Sequence, residues 1–182
     1  MRYEVANWGE FLATRPRGRE VREDIQEKLE RLASGETLIL SFARVDGMTG
    51  SFADECVAKL LIDRSSGVFA DRGVVIDGAS DVIREELELV LSRRKISAVS
   101  MRESGEPEVL GERGWLPATL TVAIELRSFS ASDLAAKLNL TPQAANNRLK
   151  VLVASGAVVR ERIVPEGGGK EFSYTVVIPA FA

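Results

Sequence analysis

The segment from Ser130 to Gly156 leaves its backbone few alternatives. It holds two short amphipathic stretches with Leu140 and Thr141 between them. Ser130 and Asp133 have the S-x-x-D spacing of a capping box, in which side-chain oxygens occupy the N–H groups a first helical turn leaves free. Thr141 is a natural N-cap, and Pro142 then falls at the first helical position, where its missing N–H costs nothing. Gly156 is a helix stop. At 3.6 residues per turn from Pro142, Ala145, Leu149 and Leu152 share one side. Gln143, Asn146, Asn147 and Lys150 share the other.

Two strand-like runs follow, Ala157 to Val164 and Glu171 to Ile178. In the second, Phe172, Tyr174, Val176 and Ile178 alternate with Glu171, Ser173, Thr175 and Val177, the period of a half-buried strand. Pro165 to Lys170, with three glycines, joins them as a hairpin tip. Two helices followed by a glycine-rich hairpin predict a winged helix-turn-helix over 117–182. Its outward amides suit bidentate contacts with adenine, and Lys150 suits guanine or phosphate. Arg148, with Arg160, Arg162 and Lys170 from the hairpin, is expected on the phosphate backbone. The same amide-rich face also fits plain solvated surface, and a winged helix can serve protein contacts alone.

Charge divides along the chain. Residues 117–182 hold seven basic and five acidic side chains, net +2, whereas the whole chain is −3. The tail therefore tolerates phosphate, with weak and salt-sensitive non-specific affinity. Dimerisation would double its contacts, so a homo-oligomer is expected. The 182 residues contain one cysteine and no histidine, which excludes a disulfide framework, a cysteine zinc cluster and histidine-based nucleophilic catalysis. No apolar run approaches a membrane span and no secretory pattern opens the chain, so a cytoplasmic protein is expected.

Residues 1–102 alternate strand and helix. Arg2 to Val5 is a short strand. Gly18 to Ala33 is a helix with Val21, Ile25, Leu29 and Leu32 on one stripe. Thr37 to Val45 is a nearly continuous apolar run, hence a strand buried on both faces. Ser51 to Leu61 is a second helix, Gly73 to Asp77 a second buried strand, and Ser80 to Arg93 a third helix with Ile83, Leu87, Val90 and Leu91 inward. Ile96 to Met101 closes the unit. The rhythm predicts an α/β domain with helices packed on a sheet. Residues 103–116, charged and turn-rich, read as an exposed linker. Pro117 to Arg127 then opens the second domain as a helix with Leu120, Ile124 and Ala123 inward. Trp115 either pins the junction or is core.

Within the first unit, Gly18-Arg19-Glu20-Val21-Arg22-Glu23, Leu38 to Val45 and Ser51-Phe52-Ala53-Asp54-Glu55 resemble the STAS-like (DUF4325) family, related to anti-sigma-factor antagonists. The resemblance covers roughly residues 2–102. It implies a small α/β domain that binds partner proteins, among them an ATP-binding kinase-like protein that phosphorylates a serine in a helix's first turn. Ser51 matches that serine. Thr49-Gly50 stand where the antagonist pattern has Asp-Ser, and Ser41 replaces the strand's usual aspartate.

Ser51 has two readings. As an N-cap it would form a box with Asp54. As a switch, its phosphate would meet free N–H groups and the positive helix end, close to Asp54 and Glu55. Asp54, Glu55, Asp63, Asp71 and Asp77 lack recurring ligand spacing and read as solvated surface. Gly167 to Gly169 is no phosphate loop, since no helix follows. Cys56, four residues after Phe52, reads as a packed thiol. No catalytic residue, metal or cofactor is expected. The fold expected is an α/β STAS-like N-terminal domain plus an α+β winged helix-turn-helix C-terminal domain. The function expected is a DNA-binding transcriptional regulator contacting double-stranded DNA. The alternatives are a protein-binding adaptor or antagonist in a kinase-like partner-switching or phage-defence module whose winged helix contacts protein, and a DNA-binding component of a phage-defence or mobile-element cassette.

Overall fold

A computed structural model of the chain describes residues 1–163 and 171–178. The first unit runs β1 (Arg2–Glu4), β2 (Phe11–Leu12), α1 (Arg15–Arg31), β3 (Thr37–Ser41) and β4 (Gly47–Met48). Then come α2 (Gly50–Ala53), a π-helical turn (Asp54–Ala58), α3 (Lys59–Ser65), β5 (Gly73–Asp77), α4 (Asp81–Arg94), β6 (Ser97–Met101) and β7 (Pro107–Gly111). The main sheet has the order β1-β3-β5-β6-β7, with β7 alone antiparallel to its neighbour. Each parallel step moves the same way across the sheet. Right-handed crossovers then put every connecting helix on one face. Val21, Ile25, Leu29, Phe52, Leu60, Ile83 and Leu87 accordingly share one core with Leu38, Leu40, Ile76 and Ala98.

The second face is covered by the rest of the chain. Here lie α5 (Leu116–Leu126), β8 (Ser128–Phe129), α6 (Ala131–Leu138), α7 (Pro142–Ala154), β9 (Val158–Ile163) and β10 (Glu171–Val176). Their small antiparallel sheet has the order β8-β10-β9. Side chains alternate across a strand. Val99 of β6 and Val109 of β7 thus turn away from the helices and join Leu116, Leu120, Leu134, Leu149, Leu152 and Val158 in a second core. The apolar run of β3 and β5 fits a sheet covered on both sides.

Two expectations need correcting here. Residues 103–116 are not an exposed linker, because Pro107–Gly111 pairs with Ser97–Met101 along its whole length. Val109 and Leu110 bury opposite faces of the sheet, which offsets the turn-rich composition around them. Pro107 is tolerated as the first residue of an edge strand. The second helix begins at Gly50 rather than Ser51 and continues through the π turn to Ser65. Sequence reading also missed the two-residue β8, too short to show a period.

The two cores are tied by backbone. Gly73 N–H donates to Glu36 O at 2.8 Å, on the β3 side, so the next N–H points away from β3. Val74 N–H there donates to Gly156 O at 3.1 Å. Gly156 has φ +91°, and a Cβ on it would lie 2.3 Å from Val74 O. Only glycine permits both that conformation and that approach. Thr37 Oγ1 also donates to Val177 O at 2.6 Å.

Arg64 completes the joint. Its side chain is fully buried at the end of α3. Nε donates to Arg72 O at 2.7 Å, one terminal nitrogen to Val153 O, and the other to Val158 O at 3.3 Å. Burial pushes its guanidinium down to about 10, so it stays charged at neutral pH. Val153 O, in the last turn of α7, also accepts from Gly156 N–H at 3.2 Å, and a cation is favoured at this helix end.

Candidate functional site

The helix α7 is built as its residues dictate. Thr141 Oγ1 accepts from Ala144 N–H at 3.2 Å, with Pro142 at the first position. Upstream, the Ser130–Asp133 capping box is formed in both directions. Asn139 caps α6 in the left-handed region at φ 50°, a conformation Asn tolerates better than most residues. Ala145, Leu149 and Leu152 are buried, and this apolar side seats α7 on α5 and α6.

The opposite side is open. Gln143, Asn146, Asn147 and Lys150 are exposed, and no part of the described N-terminal unit covers them. Gln143 Nε2 donates to Asn147 Oδ1 at 3.3 Å, one turn apart. That bond aligns two amides without using up either one's remaining donors and acceptors. Arg148 differs from its neighbours. It is half-buried, donates to Thr119 Oγ1 at 3.0 Å and stacks 5.1 Å from the Trp115 ring centre. In this structure it braces α7 against α5 instead of facing outward.

On the hairpin, Arg160 and Arg162 are exposed and pair across the ladder with Tyr174 and Phe172. The Arg160 guanidinium lies 4.6 Å from the Phe172 ring centre. Alternation sends Glu161 to the other face, near Gly35. The strand therefore separates its acid from its two arginines. Lys170 and the hairpin tip lie outside the described residues.

Ser51 occupies a different setting from the one expected. Thr49, not Ser51, is the N-cap, and its Oγ1 accepts from Phe52 N–H at 3.3 Å. Ser51 Oγ stands 3.1 Å from Thr49 Oγ1 and is half-buried. The box with Asp54 does not form, because Asp54 is claimed by Arg94, with two contacts of 2.8 Å, and by Arg15 at 3.4 Å. The Arg94 bond holds the Asp54 carboxyl below its ordinary range. Glu55, almost fully buried, accepts from Lys59 at 2.6 Å and is likewise held low by that bond.

The remaining acids are dispersed. Asp63 accepts from Arg22 and Gln26, Asp71 pairs with Arg72, and Asp77 with Arg2. Among the described residues, no three His, Cys, Asp or Glu side chains gather as metal ligands would. Cys56 is fully buried, and burial pushes its thiol up to about 12. Among those residues, too, no helix is long and apolar enough to cross a membrane.

Sequence reading missed Arg64. The signal was present: Arg64 follows Leu60 and Leu61 by four and three residues, which puts a cation on an apolar helical stripe.

Comparison with known proteins gives a family match within the first unit. Residues 17–77, from α1 to the end of β5, match the family described as a STAS-like domain of unknown function (DUF4325). No curated protein and no solved structure matches the chain.

Proposed function

We propose that the chain is a DNA-binding regulator whose residues from Leu116 onward act as a winged helix-turn-helix. The element order helix, strand, two helices and a two-stranded hairpin supports that reading. The observation that carries it is the face of α7: three amides and a lysine in the open, directly opposite the side that forms core. Gln143, Asn146, Asn147 and Lys150 would enter the major groove, with Arg160, Arg162 and Lys170 on phosphates. Arg148 would act by holding α7 on α5. The STAS-like unit would receive a partner, an ATP-binding kinase-like protein that modifies Ser51 being the one the family resemblance suggests. Two copies on paired half-sites would supply the affinity that a tail of net +2 lacks.

Selection from a pool of random duplexes tests this. One enriched motif is expected, and Asn147→Ala should weaken binding to it by about 1–3 kcal/mol, one bidentate base contact. No enrichment, or unchanged affinity in Asn147→Ala, refutes base reading by α7.

A further inference from the structure

Between the two cores lies a cavity of about 220 Å³. Its apolar lining comes from both units: Leu61 of α3 and Ile96 on one side, Leu116 of α5 with Val151 and Ala154 of α7 on the other. The Trp115 indole forms part of the wall and is 39% exposed. Gly114 beside it has open space where a side chain would stand. Three charged residues are among the lining, Lys95, Glu112 and Arg113. Arg113 is held by Glu88 at 3.1 Å, and Glu112 is exposed to solvent. Lys95 is exposed and, among the described residues, has no carboxylate in ion-pair contact. Its backbone is left-handed, φ 54°, at the end of α4.

We infer that this junction cavity is a binding site for a small organic anion: one ring or short aliphatic body bearing a single carboxylate. An apolar cavity of about 150 Å³ takes up benzene, so this space admits a single ring bearing a carboxylate. The apolar walls take the ring and Lys95 takes the carboxylate. Pockets at unit interfaces with apolar walls and few polar groups are the usual form of small-molecule sites. An occupant would touch both cores at once, and the site stands independently of whether α7 reads DNA.

Equilibrium dialysis of labelled benzoate against the full chain tests the site without DNA. One saturable site is expected, with benzamide, the neutral isostere, bound at least tenfold more weakly and acetate not saturating. Tryptophan emission should change over the same concentration range. Lys95→Gln, at an exposed position, should bring benzoate down to the benzamide level, and Ala154→Leu, which fills the cavity, should abolish binding. Absence of saturable benzoate uptake overturns the proposal, as does uptake undiminished in Lys95→Gln. If Ala154→Leu does not fold, Lys95→Gln and the benzamide comparison decide.

Discussion

Arg64→Met removes a buried cation and keeps most of the side chain's length. Three backbone carbonyls lose a charged donor: Arg72 O, Val153 O and Val158 O. A hydrogen bond to a charged group is worth about 1.5–3 kcal/mol. Three such bonds do not add in full, because Met also relieves the cost of burying charge. Val158 further belongs to a paired strand. Buried carbonyls left short of a donor cost about 1–3 kcal/mol each, which, with that relief set against it, puts the expected loss at about 3–5 kcal/mol. For a chain of this size each kcal/mol moves the melting point by about 2–4 °C, so a drop of about 6–20 °C should follow. Urea unfolding followed by far-UV circular dichroism gives the free energy, and a thermal melt the midpoint. Arg64→Lys should fall between, since one ammonium cannot span carbonyls on α3's flank, α7 and β9 as a planar fork does. A loss below about 1 kcal/mol in Arg64→Met would show those carbonyls to be satisfied without Arg64, and the joint would need another explanation.

Gly156→Ala forces a Cβ to within 2.3 Å of Val74 O at φ +91°, so the Val74–Gly156 hydrogen bond must break or the turn must move. A destabilisation of at least about 2–3 kcal/mol is expected by urea titration, and a neutral substitution would refute the close approach. Asp54 predicts a pH dependence. Its folded pKa lies below the ordinary 3.8, so the unfolded chain takes up the proton first as pH falls. The stability Asp54 provides is complete above that value and is lost as pH falls through the lower folded pKa. Arg94→Met should flatten the acid limb of a stability–pH curve while leaving its shape near neutrality, and an unchanged acid limb would remove Asp54 from the account.

The helices were legible because their signals are local. The stripe of Val21, Ile25 and Leu29, the Ser80 cap with Ile83, Leu87, Val90 and Leu91, and the Thr141-Pro142 start all depend on residues a few positions apart. The outward face of α7 follows from the same periodicity. The setting of Ser51 was not legible, because the competitor for Asp54 is Arg94, forty residues away. Nor was β7, whose pairing with β6 outweighs a composition typical of loops. Arg148 shares the helix with the amides, yet only the nearness of Trp115 and Thr119 turns it inward.

By itself the chain's order of residues determined where helices start and stop, which strands must be covered on both sides, and which side chains α7 presents to water. Tertiary structure alone decided what does the covering: the C-terminal portion lies on the sheet's free face, tied there by Arg64 and Gly156. The reason is physical. Periodicity reports that a face must leave water, because burial of apolar area is non-directional. Which partner takes the place of water is set by shape, hydrogen-bond geometry and close approach between residues far apart in sequence.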